Sequence, residues 1–338
     1  MRNLKAILVA AAVALSLSAC ASQSGTDAFN AAFDSQPVVC KPLADGAAAK
    51  AVQVTGDFGS KPKVVVPAGV SSKAFESHQA IVGTGPVVHG NEQVVLEYTL
   101  LNATTGAVLQ ATKYDSSTPA TLHLAADPAT AAASAGPNYC DALVNAHVGS
   151  RVVYYMPALL VHQGKGIPSL KVGPKDSLIF VFDVESVALP RATGAAQTAQ
   201  NGFPAVVTDK DGVPGIVLPH TAAPSLKTTE VETLIKGAGP VIKVGDNIIV
   251  HYSGMVWADG VQSVFDSSWQ KEGQAPFGTV LNEKAIIKGW VKAIAGQTVG
   301  SQIVAVIPPS EGYGGDASNP AIPANSTLVF VIDILGKA

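Results

Sequence analysis

The sequence predicts an α+β fold laid down twice in tandem, each copy an antiparallel sheet packed on one short helix. Glycine and proline are abundant (32 and 22 of 338 residues), which favours turns and short strands over long helices. Only one segment of the C-terminal half carries helical apolar spacing. The chain also echoes itself in order. VQVTGDFGSKPKVVVPAG (52–69) returns as AVVTDKDGVPGIVLPHT (205–221), and IVGTGPVVHGNEQVVLEY (81–98) as LIKGAGPVIKVGDNIIVHY (234–252). NYCDALVNAHVGSRVVYYMP (138–157) returns as GWVKAIAGQTVGSQIVAVIP (289–308), and DSLIFVFDVESV (176–187) as STLVFVIDILGK (326–337). Tandem domains are therefore expected over residues 48–190 and 202–338, with an Ala/Gly/Gln-rich linker at 191–201.

The second copy shows the elements in order. A strand over 230–236 precedes a GAGP turn, and a strand over 246–257 sets Ile248, Val250 and Tyr252 on one side. ADG signals a hairpin, with SVFDSS as the short returning strand. After APFGTVL comes a helix near 283–294, with Asn282 as its expected N-cap and Ile287, Trp290, Val291 and Ile294 as its buried stripe. QIVAVIP and TLVFVIDIL are strands on either side of the long loop PPSEGYGGDASNPAIPANS. That makes about five or six strands on one helix.

The first twenty residues stand apart. MRNLK is a short basic start and AILVAAAVALSLSA an apolar run too short to span a bilayer, which takes about 20 residues as a helix. An export signal over residues 1–19 is expected. The ending LSAC resembles the lipobox of bacterial lipoproteins, which implies cleavage before Cys20 and its lipidation; an ordinary secretory signal is the alternative. Two or three acyl chains at ~0.8 kcal/mol per buried CH₂ would anchor the chain stably to a membrane. Residues 20–47 then read as a tether, and the expected location is the extracytoplasmic face of the cell membrane.

With Cys20 acylated, Cys40 and Cys140 form an even pair in an oxidising compartment, for which a disulfide is the natural reading and two buried thiols the alternative. Neither lies in a CxxC or has His at ligand spacing, so no metal is expected, nor any other cofactor. A net charge of -3 without a Lys/Arg-rich run gives no reason to expect nucleic acid. HExxH and GxSxG are absent, which disfavours metallo- and serine hydrolases.

VHYSGM, VFDSS, IIKGW, the Gly-Tyr-Gly of the long loop and IPANSTLVF occur in an order and spacing that resemble those of FKBP-type peptidyl-prolyl isomerases. The resemblance covers nearly the whole of residues 230–338. It implies a half-wrapped antiparallel sheet closing on the helix, with an aromatic pocket between them for a proline ring. It implies Trp290 as the floor and Tyr252, Phe265, Phe277 and Phe330 as walls. Ile286 and Ile287 fall at a lip whose backbone holds an extended peptide. Tyr313 and Ile322 come from the overhanging loop, with the Tyr313 hydroxyl as a donor to a substrate carbonyl, and Asp266 is the charged group at the edge. The family's frequent arginine is absent; Lys271 is the expected stand-in, and Trp269 is expected to make the rim bulkier. His251 falls on the opposite face of its strand and is read as non-catalytic.

In the first copy, Tyr98, Tyr114, Asp115 and Phe180 align with Tyr252, Phe265, Asp266 and Phe330. Tyr139 stands at the Trp290 position, Ala120 at Phe277 and His162 near Tyr313. A pocket lacking a wall, the floor tryptophan and the loop hydroxyl should isomerise slowly or not at all.

The expected function is peptidyl-prolyl cis-trans isomerisation on X–Pro segments of exported polypeptides, with macrolide inhibitors as possible ligands. The alternative is a non-catalytic chaperone or peptide-binding lipoprotein that uses the same groove.

Overall fold

A computed structural model of the chain describes residues 38–90, 92–115, 119–124, 138–200, 202–210, 212–258, 264–271, 275–316 and 320–337. The expected signal, Cys20, the tether as far as residue 37 and the tip of the ADG hairpin lie outside the described residues.

Two sheets follow one another. The first unit contains β1 (Gln53–Thr55), β2 (Lys63–Val65), β3 (Glu76–Ile81), β4 (Gln93–Asn102), β5 (Val108–Ala111), β6 (Ala120–His123), β7 (Arg151–Met156) and β8 (Leu178–Val187). Its short helices are α1 (Ala47–Ala51), α2 (Tyr139–Leu143) and α3 (Ala158–Val161). The second unit contains β9 (Ala195–Ala196), β10 (Ala205–Thr208), β11 (Pro214–Val217), β12 (Glu230–Lys236) and β13 (Asn247–Val256). It continues with β14 (Val264–Ser267), β15 (Phe277–Val280), helix α4 (Lys288–Ile294), β16 (Gln302–Ile307) and β17 (Leu328–Lys337).

The main sheets run β3-β7-β8-β4-β5, with β6 also on β4, and β14-β13-β17-β16-β12-β9, with β15 also on β13. Equivalent strands pair in the same register. Tyr98 faces Phe182 and Leu100 faces Phe180, as Tyr252 faces Ile332 and Gly254 faces Phe330. Both units are therefore α+β domains of one design, a bent antiparallel sheet closed by a short helix.

Each sheet is covered on both faces, because a hairpin packs behind it. Val54, Val64 and Val66 of the β1–β2 hairpin region pack on Val153, Tyr155, Ile179 and Val181. Val206, Ile216 and Leu218 of the β10–β11 region pack on Trp257, Val304, Val306, Val329 and Val331. Burial on both faces explains why LVFVI (328–332) is an unbroken apolar run instead of an alternating one.

Polar side chains pin these layers. Buried Arg151 pairs with Asp183, Nε to Oδ1 at 2.6 Å, and donates to the carbonyls of Gly56, Asp57 and Ser60 in the hairpin. The second unit has Gln302 and Asp333 at these positions. Asp333 accepts from Gln302 at 2.7 Å and from the Ala192 amide at 2.9 Å. Residues 189–196 are thereby held to the second sheet, since the Leu189 amide donates to Leu335, Thr193 to Gly300, and β9 pairs with β12. The expected linker is in part a strand.

The tether also ends earlier than its expected boundary at residue 47. The Val39 amide donates to His89, Leu43 to Asp141, and Cys40 is disulfide-bonded to Cys140 with their Cα atoms 5.9 Å apart. The helix near 283–294 is shorter than expected. It starts at Lys288 with Ile287 as N-cap, whose ψ of 147° is extended. Asn282 caps the preceding turn instead, its Oδ1 accepting from the amides of Lys284 and Ala285.

Candidate functional site

Between β13, β14, β15, β17 and α4 lies a cavity of about 540 Å³ lined by Tyr252, Phe265, Asp266, Lys271, Phe277, Ile286, Ile287, Trp290, Tyr313 and Phe330, with Glu283, Lys284 and Ala285 at its lip. Nine of the ten residues expected from the sequence meet here. Ile322 does not line the cavity: it is 4% exposed and packs in the same core cluster as Tyr252, Trp290 and Phe330.

The pleat explains the gathering. Tyr252 and Gly254 share one face of β13, and Phe330 is directly across from Gly254. A Cβ at residue 254 would sit 2.5 Å from the Phe330 ring and 2.9 Å from that of Phe265, so only glycine lets these rings meet. The buried stripe of α4 puts Trp290 under them, and Gly289 brings the helix close enough that a Cβ would lie 2.4 Å from Ile307. Trp290 meets Tyr252, Phe330 and Phe277 edge-on, with centroids 5.1, 5.2 and 6.2 Å away. Phe265 meets Phe330 edge-on at 5.6 Å. The result is a rigid aromatic cup.

A polar network sits at the rim. The Tyr252 hydroxyl donates to Asp266, while Lys271 Nζ lies 3.4 Å from Asp266 and donates to the Tyr252 oxygen at 3.3 Å. Burial raises the Tyr252 phenol above its ordinary value, and the bond to Asp266 adds to the shift. Tyr313, 44% exposed on the loop, is raised by burial and then by the Asp266 charge. Both phenols stay protonated and able to donate.

Lys271 is where the sequence expected it, but Trp269 is not on the rim. It is 6% exposed and stacks on His251 behind the strand, centroids 3.9 Å apart. Burial, then the proximity of His123, pushes His251 down to about 3, so it is a neutral structural side chain bonded to Ser268 at 2.8 Å. The lip residues Glu283 to Ala285 were missed by sequence reasoning; their signal is the Asn282 turn that aims them. Among the described residues, no group of three His, Cys, Asp or Glu side chains could hold a metal.

Residues 239–335 match the FKBP-type peptidyl-prolyl cis-trans isomerase family. The chain is 39% identical over 94 residues to FK506-binding protein 1A of Aspergillus fumigatus, covering 28% of this chain and 80% of that protein. It is 38% identical over 106 residues to FK506-binding protein 1 of Dictyostelium discoideum, covering 31% of this chain and 94% of that one. This chain belongs to the FKBP family. A third relative, the 46 kDa FK506-binding nuclear protein of Spodoptera frugiperda, is 39% identical over 104 residues, 24% of its own length. Membership gives the second domain the catalytic potential of a peptidyl-prolyl isomerase and the family's general affinity for proline-containing peptides.

The FKBP cup suits that chemistry. Rotation about an X–Pro amide faces a barrier of ~18–20 kcal/mol because resonance keeps it planar. No bond to the enzyme is needed. A dry apolar wall favours the less polar twisted amide, and a fixed donor can favour it further. Every ~1.4 kcal/mol of such preference is worth tenfold.

Among the described residues, the first domain of this FKBP carries bulkier side chains at the positions equivalent to the cup. Its register puts Tyr154 across from Phe180 where Ala305 faces Phe330, Phe182 where the second domain has Ile332, and Leu100 where it has Gly254. Tyr139, Tyr154, Phe180 and Phe182 fill the space ring against ring. The alignment of Tyr114 and Asp115 with Phe265 and Asp266 is overturned. Gln110 is the residue across from Leu100, as Asp266 is across from Gly254. Tyr114 instead reaches the other side of β4, where its hydroxyl bonds Thr99 at 3.0 Å.

Proposed function

We propose that the second domain isomerises X–Pro bonds in exported polypeptides at the outer face of a membrane, to which a lipidated Cys20 anchors the chain. The observation that carries the reaction is the Trp290-floored cup with the Tyr313 and Tyr252 hydroxyls beside it. The export reading draws on the lipobox LSAC and on the Cys40–Cys140 bridge, a feature of oxidising compartments. Residues 1–19 are the signal on this reading, and the two functional units are the expected 48–190 and 202–338, each extended by the segment tied to it, from about residue 39 and from about residue 189. The first domain, its site filled by Tyr154 and Phe182, spaces the active domain from the membrane and turns over little or nothing.

The test is a protease-free assay of the full chain on short X–Pro peptides, with a macrolide inhibitor as competitor. Inhibitable turnover is expected; peptide binding without turnover would favour the holding chaperone. In cells, wild-type protein should partition with membranes and the Cys20→Ser form with the aqueous phase. Equal partitioning would remove the anchor from the proposal.

A further inference from the structure

Glu311 ends the 3-10 turn Pro309–Glu311, at the root of the loop that carries Tyr313. Its side chain is buried, 5% exposed, and a buried carboxylate must be compensated. It accepts from the Thr229 amide and hydroxyl, both at 2.8 Å, and from the Thr228 hydroxyl. Lys292 pairs with it directly and also donates to Thr228 at 2.8 Å; Lys288 Nζ stands 3.8 Å away. Burial opposes the charge, but the bonds from Lys292 and Thr229 outweigh it and hold the carboxyl down to about 2. Three elements meet at this one carboxylate. They are the Tyr313 loop, helix α4, which bears Trp290 two residues before Lys292, and the segment leading into β12.

The first domain supplies an internal comparison. Met156 faces Leu178 as Ile307 faces Leu328, so Leu160 stands for Glu311 and His162 for Tyr313. Counting from Tyr139 and Trp290, Asp141 stands for Lys292. No ion pair can form between Leu160 and Asp141. Leu160 is 44% exposed, and Asp141 accepts from the Lys41 amide instead. His162 turns into its own loop, donating to the Asp176 carbonyl at 2.9 Å and accepting from the Gly166 amide at 3.1 Å. The domain without the tie is the domain whose site is filled.

We propose that Glu311 is a positioning residue for isomerisation: through Lys292 and Thr229 it fixes the loop to helix α4, so that the Tyr313 hydroxyl is held over the cup floored by Trp290. This rests on the isomerase reading of that cup. Glu311 touches no substrate and acts through Tyr313.

The full-length chain is compared with Glu311→Gln, Tyr313→Phe, the double variant, Lys292→Met and Lys292→Arg. Two readouts are taken, kcat/KM on a short X–Pro peptide and amide hydrogen exchange over residues 312–316. Glu311→Gln should lower kcat/KM about tenfold, the scale of a modest misplacement of a substrate-facing group, and speed loop exchange. That loss should vanish in the Tyr313→Phe background. Lys292→Met should reproduce it and Lys292→Arg should restore activity. An equal loss in both backgrounds, or unchanged loop exchange in Glu311→Gln, overturns the proposal. A wild-type chain without turnover sinks the isomerase reading, and with it a role in catalysis; the exchange comparison then decides the tie by itself.

Discussion

Ala305 and Tyr154 occupy the same position in two copies of one sheet, each directly across from a phenylalanine, Phe330 and Phe180. The difference between an open cup and a filled one lies largely in this pair, with Ile332 and Phe182 beside it. Enlarging Ala305 should therefore close the active site from beneath. Ala305→Leu is expected to cost about 1–3 kcal/mol of stability by overpacking. It should lower kcat/KM by more than tenfold at temperatures where the variant is fully folded. Thermal unfolding alongside the peptide assay separates the two effects.

The rim network of Tyr252, Asp266 and Lys271 should be graded. Asp266→Asn removes the charged acceptor of the Tyr252 hydroxyl and should lower kcat/KM about tenfold. Lys271 and Asp266 are 51% and 44% exposed, so Lys271→Met should cost only about two- to threefold, the scale of a solvent-exposed pair. Larger loss from the lysine than from the aspartate would contradict this order.

The Cys40–Cys140 bridge closes a loop with a sequence separation of 100. Removing it by Cys40→Ala with Cys140→Ala should destabilise the first domain by about 2–5 kcal/mol. Peptide turnover by the second domain should persist below the transition. Unfolding curves with and without reductant, read beside turnover, check both halves.

Two buried carboxyls make stability fall toward alkaline pH. Burial pushes Glu92 up to about 7 and Asp333 up to about 6, each against hydrogen bonds that favour its charge. The folded chain thus keeps protons that the unfolded chain has released. Each contribution is complete below the ordinary carboxylate range and is lost as pH rises through the folded value. Unfolding temperature should decline between about pH 4 and 7, and Glu92→Gln should flatten the upper part of that slope. Glu311 has the opposite sign. Its carboxyl is held at about 2, so its stabilisation is present above the ordinary range and lost as pH falls toward that value.

The strands and the ring cluster were legible because apolar spacing along β13 and β17 fixes which side chains share a face. Tyr252, Phe265 and Phe330 could not avoid one another once the register was set. The mistaken equivalence of Tyr114 with Phe265 has a physical origin. YDSS resembles FDSS letter by letter, whereas hairpin pairing is set by the turn after Asn102, and the register it sets makes Gln110 the counterpart of Asp266. Asn282 was a sound cap attached to the wrong element, since the chain makes a complete turn before Ile287 starts the helix. The back hairpins were visible as repeats, but what they cover depends on contacts between segments far apart in sequence. The buried faces of Trp269 and Ile322 are hidden from sequence for the same reason.

The strip 189–196 bears on how this molecule can be cut. A fragment begun at residue 202 would strand Asp333 without its Ala192 donor and uncover the outer edge of β12 now paired by β9. A naked sheet margin recruits other chains, so such a truncated piece should self-associate, whereas one begun near residue 188 should stay monodisperse.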